Sequence, residues 1–300
     1  MFIKRENDGI IYYASTLLES EGFANGFFAR YGGVSKGDFE SLNVSTARLD
    51  SFGAADSKAN VLENYRRALS VIGSEPERAV AARQVHSADV LKVTGKDGGR
   101  GICPDREAMP DADALLLDGK EQGVDAVCVK TADCVPILLA NKVSGSVCAV
   151  HAGWRGSAAD IAAKAAKALS DGDMDSIIAA IGPCIGLCCY EVGGEVVTAF
   201  RELFTSKGYG FDTDELLPIF PSHSAGGKHH ADLAKINARL LEKCGVRREN
   251  IDAADICTSC YKDEKGTRPF FSHRAQSGHS GTFVSAVRKM QNAELAKHGF

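Results

Sequence analysis

The chain has 300 residues, 44% of them apolar and 25% charged, and its 35 Lys and Arg against 39 Asp and Glu leave a net charge of −4. Those proportions belong to a globular protein and exclude a collagen-like, coiled-coil or disordered chain. The small acidic excess gives no electrostatic footprint for nucleic acid or an anionic membrane, and the longest apolar runs are strand-sized, too short to span a bilayer. In chain order, Gly32-Gly33 and Gly98-Gly99-Arg100-Gly101 mark tight turns. Short apolar runs rich in β-branched residues at 126–130, 135–140 and 146–150 predict buried strands. From Ser157 to Leu169 the apolar positions Ile161, Ala165, Ala168 and Leu169 follow a helical period, with Asp160, Lys164 and Lys167 on the other face. A fourth strand is expected at 176–181, then helices at 195–204 and 232–243, the last stopped by Gly245. Between those two helices the segment 205–231 is polar and glycine-rich, holds Pro218 and Pro221, and is expected to be an exposed excursion with His229-His230 as a solvated pair. Strands and helices mix throughout, so the fold class is α/β (α+β). With no repeat or linker, residues 1–300 are expected to form one continuous domain.

The start, Met1 to Asp8, has early charges and no apolar run of signal-peptide length, so a cytoplasmic setting is expected. In that setting most of the ten cysteines read as reduced, small core hydrophobes. Familiar signatures such as the P-loop, the dinucleotide fingerprint, the nucleophile elbow and H-E-x-x-H are absent. Cys257-Thr-Ser-Cys260 is a lone C-x-x-C, weak evidence for zinc or redox chemistry without a second ligand pair.

Three segments are more informative. Arg83-Gln-Val-His86-Ser-Ala-Asp89 puts a histidine in a strand-like run. Lys130-Thr-Ala-Asp-Cys134-Val-Pro136 puts a thiol at the edge of an apolar strand. In Val150-His151-Ala-Gly-Trp-Arg-Gly156 a strand ends in histidine, turns at glycine and enters a helix, which gathers backbone N–H groups and Arg155 near one point, an anion site. Two chemistries fit. One is a Cys134 thiolate nucleophile with His151 as base. The other is a zinc site with ligands His86, Cys134 and His151, in which three protein ligands leave a fourth position open and the metal activates bound water. Asp113 and Asp133 are candidate proton carriers, although an aspartate in a turn is more often a cap.

Taken in order, these segments resemble a known family. The resemblance begins at Gly26-Phe-Phe-Ala-Arg30-Tyr-Gly-Gly-Val-Ser35 and Ser41-Leu-Asn43. It continues through Gln84-Val-His86-Ser, Ala112-Asp113-Ala114, Thr131-Ala-Asp-Cys134-Val-Pro136 and His151-Ala-Gly-Trp-Arg-Gly156. It closes on Ile181-Gly-Pro183, Ile185-Gly186, Tyr190-Glu-Val192 and Phe271-Ser-His-Arg274. The family is the YfiH-like, laccase-domain family, once described as multicopper polyphenol oxidases and now as purine nucleoside phosphorylases. The resemblance implies mixed β-sheets packed together with helices outside, a CNF/YfiH-like cysteine-hydrolase fold that in some bacterial toxins carries a Cys–His pair. It implies zinc on His86, Cys134 and His151. It also implies phosphorolysis of adenosine, inosine and methylthioadenosine, with deamination of adenosine. Nucleoside and phosphate would then be the partners. Cys134, His151 and Arg155 would be the catalytic residues, and Arg30, Asn43 and Arg155 the substrate contacts, the arginines being chosen for charge beside glycine turns.

The chain departs from the family where Thr-Gly-Arg usually follows the Phe-Ser-x-Arg segment. It has Ser280-Gly281-Thr282, without the arginine. The 205–231 excursion and Cys188-Cys189 are also peculiar to this branch. Two other activities compete. Copper-linked polyphenol oxidation, the older label, would put copper in place of zinc, but eight histidines without a His-x-His pair disfavour a multicopper centre. A cysteine hydrolase editing peptidoglycan precursors would use Cys134 and His151 without metal.

Overall fold

The computed structural model describes residues 1–210, 216, 219–220, 228–291 and 294. In chain order its strands are β1 (Phe2–Asn7), β2 (Ile10–Ser15), β3 (Phe23–Phe28), β4 (Ala79–Ala81) and β5 (Val90–Val93). They continue with β6 (Ala114–Leu117), β7 (Ala126–Thr131), β8 (Val135–Asn141), β9 (Val147–Ala152) and β10 (Ile177–Ile181). The last five are β11 (Glu191–Val192), β12 (Ile219–Phe220), β13 (Lys228–His230), β14 (Ile251–Ala253) and β15 (Phe283–Lys289). The helices are α1 (Thr16–Ser20), α2 (Lys58–Val71), α3 (Trp154–Ala158), α4 (Ile161–Leu169), α5 (Gly194–Ser206) and α6 (Leu233–Cys244).

Two six-stranded mixed sheets form the centre, one in the order β1-β2-β3-β15-β7-β4 and the other β14-β10-β8-β9-β6-β5. Side chains alternate between the two faces of a strand, and here both faces are buried. In β8, Leu138 and Ala140 enter the core between the sheets, while Ile137 and Leu139 enter a second core under the helices. In β9, Val147 and Ala149 face the first of these cores and Cys148 and Val150 the second. Burial on both sides is why these strands read as unbroken apolar runs. Helices α4, α5 and α6 cover the outer face of the second sheet, with Ile161, Ala165, Leu169, Phe200, Ile236 and Leu240 in that core. Helix α2 covers the first sheet through Val61, Tyr65, Ala68 and Leu69, against Cys128, Val284 and Ala286. The result is mixed sheets packed face to face with helices outside, as the family resemblance implies.

The predicted strands appear within a residue or two of their expected bounds, and α5 and α6 match the expected helices. The Asp232 side chain caps α6 by accepting from the Lys235 N–H at 3.0 Å, and Gly245 ends it at φ +113°. One expectation is corrected. The helix from Ser157 to Leu169 is two helices, because Asp160 sits in the left-handed region at φ +65° and breaks the ladder between α3 and α4. The 205–231 segment is corrected in part. Its described residues include β12 and β13, which pair with β11 in a small antiparallel sheet. His230 lies in β13, half-buried, with Nδ1 at 2.7 Å from the Leu187 carbonyl oxygen. Residues 211–215, 217–218 and 221–227 of that segment, Pro218 and Pro221 among them, lie outside the described residues.

No helix among the described residues is long and apolar enough to cross a membrane. The packing between the sheets sets an expectation for stability. Leu138→Ala, at a fully buried position, should destabilise by about 2–5 kcal/mol. Val143→Ala, at a position 82% exposed, should stay within about 0.5 kcal/mol of the parent. Urea unfolding midpoints of the two variants check this.

Candidate active site

The site lies where strands β6, β8 and β9 run out of apolar residues. β8 and β9 are antiparallel with Pro136 opposite His151, and β6 and β9 with Ala114 opposite Val150. The face that carries Leu115, Leu138 and Ala149 into the core between the sheets continues by period two to Asp113, Cys134 and His151. Three chemical groups thus cap the end of a hydrophobic face. His86 arrives from the loop between β4 and β5.

One carboxylate assembles these parts. Asp113 is fully buried. Its Oδ1 accepts from the His86 N–H at 3.0 Å and lies 2.7 Å from His151 Nδ1. Its Oδ2 accepts from the N–H groups of Val85 (3.1 Å) and Ser87 (2.7 Å) and from the Ser87 hydroxyl (2.9 Å). The backbone bends sharply to present those donors, with His86 at φ +62°. With Nδ1 held by Asp113, the free ring nitrogen of His151 is Nε2. The ligand atoms of His86, Cys134 and His151 lie within 4.8 Å of one another. The two imidazole rings meet edge-on with centroids 4.8 Å apart. A Cβ at Gly153 would sit 2.6 Å from His86 Nδ1 and 3.2 Å from Cys134 Sγ, so the turn after His151 has to be glycine.

A second carboxylate orients the thiol. Asp133 has φ +90° and is buried. Its Oδ1 accepts from the Thr258 hydroxyl and its Oδ2 from the Arg274 N–H, both at 2.7 Å, while its carbonyl accepts from the Ile185 N–H at 2.8 Å. The oxygens of Asp113 and Asp133 are therefore committed to protein donors. Both residues hold the site in shape, the hydrogen-bonding role that an aspartate in a turn more often has.

Electrostatics follow from these contacts. Burial pushes the Cys134 thiol up, but the charge and hydrogen bonds of His151 and His86 outweigh it and bring it down to about 6. Burial pushes His151 down, but the Cys134 thiolate and Asp113 outweigh it and raise it to about 9. Asp113 is opposed by its own burial, yet His151 and the backbone N–H groups lower it to about 2. Between those limits the apo site is a thiolate–imidazolium pair backed by a carboxylate.

The donor set fits zinc. One thiolate and two imidazoles converge, and a carboxylate fixes the tautomer of the buried histidine, the usual partner of a metal-bound imidazole. His86 is exposed, so the open side of the triangle faces solvent.

Around this centre stands a rim the sequence reading captured only in part. Arg155 is exposed on α3 with its guanidinium 4.3 Å from the Trp154 ring centroid. Helix α3 spans only five residues, so the anion site expected there rests on the Arg155 charge and not on a long helix. Tyr190 is half-buried; burial and the Cys134 thiolate push its hydroxyl up to about 12. Arg274 lies 5.7 Å over the Tyr190 ring and donates to the carbonyl oxygens of Cys189 and Glu191. Arg48 Nη1 is 2.9 Å from His273 Nδ1. Arg30 packs on Phe271 at 4.6 Å and donates to the Glu40 carbonyl. Asn43 is fully buried; its amide donates to the Ser45 carbonyl and Asp56 and accepts from the N–H groups of Ser45 and Thr282. It joins loops and does not face the open side, unlike the direct substrate contact expected. Tyr190 and Arg274 stood within matching motifs, which was their signal; Arg48 had none.

In chelator-treated protein, alkylation of Cys134 should rise with a midpoint near pH 6. Asp113→Asn should shift that midpoint upward by weakening the imidazolium, and should lower metal affinity by about 10- to 100-fold. Peptide mapping by mass spectrometry after iodoacetamide treatment, and competition with a chromogenic chelator, check both.

Known proteins resemble this chain in sequence and in fold. The family model described as "multi-copper polyphenol oxidoreductase laccase" matches residues 24–289. A protein named purine nucleoside phosphorylase YlmD, from Geobacillus stearothermophilus, is 33% identical over 277 residues, 90% of this chain and 91% of that one. A protein named adenosine deaminase RL5, from an unknown prokaryotic organism, is 33% identical over 78% of this chain and 84% of its own length. The crystal structure of YlmD from Geobacillus stearothermophilus superposes with a TM-score of 0.79 at 32% identity, covering 97% of this chain and all of that one. The chain belongs to the laccase-domain family of YfiH and YlmD, a family of enzymes.

Proposed function

We propose that the chain is a zinc-dependent purine nucleoside phosphorylase that takes adenosine, inosine and methylthioadenosine and also deaminates adenosine. The observation that carries this reading is the convergence of His86, Cys134 and His151 within 4.8 Å, on a face with one open side. The names of the relatives, a purine nucleoside phosphorylase and an adenosine deaminase, support the same pair of activities. Zinc held by His86, Cys134 and His151 would supply Lewis-acid polarisation.

In phosphorolysis a phosphate oxygen forms a bond to C1′ and the N-glycosidic bond breaks. Its electron pair passes to the purine, which takes up a proton. The chain must hold an anion beside C1′ and keep the base flat and still. Arg274 lies over the half-buried ring of Tyr190, and Arg155 packs on Trp154. Arg155, exposed on α3, is suited to phosphate, since guanidinium donors match its oxygens in pairs; Arg274, held by the Cys189 and Glu191 carbonyls, braces Tyr190. Tyr190 offers a planar face for a purine. Arg30, packed on Phe271, and Arg48, beside His273, are assigned to the ribose and phosphate side. Asp113 keeps His151 in one tautomer and Asp133 keeps Cys134 in one orientation, so the site is formed before substrate arrives.

One observation favours a second reading. Cys134, His151 and Asp113 stand in the order of a cysteine nucleophile, its base and the carboxylate that orients the base. A metal-free hydrolase acting on peptidoglycan precursors would use them so. Copper in the same one-thiolate, two-imidazole set is the counterpart of zinc for the polyphenol oxidase label.

Zinc-loaded protein should release free base from adenosine and inosine only when phosphate is present. Cys134→Ala should abolish that release, and Arg155→Ala should lower kcat/KM by about 10- to 100-fold, the worth of one charged hydrogen bond. Chromatography of the released base, with and without phosphate, makes the test. Free base released without phosphate, or none released by folded zinc-loaded protein in its presence, contradicts the phosphorylase reading.

A further inference from the structure

A second group of thiols converges beside the site. β10 and β14 are parallel neighbours, with Ala179 opposite Ile251 and Ile181 opposite Ala253, so they end side by side. The segment after β10 carries Cys188 and Cys189, and the segment after β14 carries Cys257 and Cys260. Backbone bonds stitch the two together. The Cys184 N–H donates to the Ile256 carbonyl at 3.2 Å and the Thr258 N–H to the Cys184 carbonyl at 2.9 Å. Each segment then turns back on itself. The N–H groups of Cys189 and Tyr190 both return to the Gly186 carbonyl, and the Tyr261 N–H returns to the Cys257 carbonyl.

The ligand atoms of Cys188, Cys189, Cys257 and Cys260 lie within 4.8 Å of one another. Zn–S bonds of about 2.3 Å in a tetrahedron place the sulfurs about 3.8 Å apart, inside the 4.8 Å that bounds this cluster and close to the 3.4 Å between the Cys188 and Cys260 sulfurs. The Gly186 N–H donates to Cys257 Sγ at 3.2 Å, the kind of outer bond that supports a ligating thiolate. A Cβ at Gly186 would lie 3.1 Å from Cys257 Cβ and 3.4 Å from Cys188 Sγ, so the turn packs closely against both cysteines. Arg274 donates to the Cys189 carbonyl and Arg268 to the Ser259 carbonyl, which sets two cations beside the sulfurs. Cys188 and Cys260 are exposed and the other two half-buried, so the four thiols are not core filling.

We propose that Cys188, Cys189, Cys257 and Cys260 bind a zinc ion, a second and purely structural metal centre. Four sulfur ligands leave no position for water, unlike the open set at His86, Cys134 and His151. Binding replaces four S–H protons by one Zn²⁺; the protons go to solvent and the centre keeps a net charge of −2, facing Arg274 and Arg268. The centre clamps the two segments that grip Asp133, one through the Ile185 N–H and the other through the Thr258 hydroxyl. It thereby steadies the residue before Cys134.

The full chain, purified under reducing conditions, tests this as Cys134→Ala, a background from which the first site is removed. That variant should retain one zinc per chain by plasma mass spectrometry. Its cobalt-substituted form should show the thiolate-to-cobalt charge-transfer bands and intense visible bands of a tetrahedral tetrathiolate. Adding Cys188→Ser and Cys260→Ser should remove both the metal and the bands, and in the wild-type background the same pair should lower zinc by one per chain. Folded Cys134→Ala without metal overturns the proposal, and so does a cobalt spectrum lacking the tetrathiolate bands. An intact mass lighter by two hydrogens per bond, showing disulfides in place of metal, also overturns it. Because the readout is made without Cys134, its failure leaves the phosphorylase reading standing, and the reverse also holds.

Discussion

The site depends on one buried carboxylate. Asp113 accepts five hydrogen bonds, three from the backbone of the His86 turn, one from the Ser87 hydroxyl and one shared with His151. A carboxylate with no solvent contact is tolerable only when its lone pairs are filled, and here every filler is a part of the site. The same contacts bend the His86 backbone into the left-handed region, fix the buried imidazole and hold two chain segments from different places on the sheet. Removing Asp113 therefore removes a fixed point and not one contact among many.

The fold makes that fixed point possible by an economy of position. Strands β6, β8 and β9 are buried on both faces, so their register is specified throughout. Where the apolar alternation stops, the next residues on the inner face are Asp113, Cys134 and His151, already aligned by the ladder. These three groups stand on the ends of rigid strands and inherit their precision. The rim differs: Arg48, Arg155, Arg274 and Tyr190 come from loops and a short helix, where substrate preference can change without disturbing the core. The Ser280-Gly281-Thr282 segment is not part of this rim. Ser280 and Thr282 are buried, and the Thr282 N–H caps the Asn43 side chain.

Much of the fold was legible because its signals are local. Unbroken apolar runs such as 135–140 announced strands buried on both faces, and the period of 232–243 with Gly245 announced α6. The break at Asp160 was not legible, since nothing in the period of 157–169 marks a left-handed residue. His86, Cys134 and His151 were named from their segments, but their convergence depends on antiparallel pairing of strands distant in sequence. The resemblance supplied that step, which spacing could not. Asp113 and Asp133 were recognised as polar residues in informative places, with a proton-carrying role and a hydrogen-bonding one both open, because only the donors around them reveal that their lone pairs are full. Cys257 and Cys260 read as a lone pair for the same reason: their partners arrive through the parallel pairing of β10 with β14.

The central claim is that Asp113 assembles His86, Cys134 and His151 into a site for one zinc ion. X-ray absorption at the zinc edge, on protein carrying Cys188→Ser and Cys260→Ser, addresses it directly. The account predicts a single zinc with one sulfur at about 2.3 Å and two imidazole nitrogens at about 2.0–2.1 Å, with a light atom completing the shell. A zinc shell without sulfur, or no zinc bound by a folded protein, would contradict it.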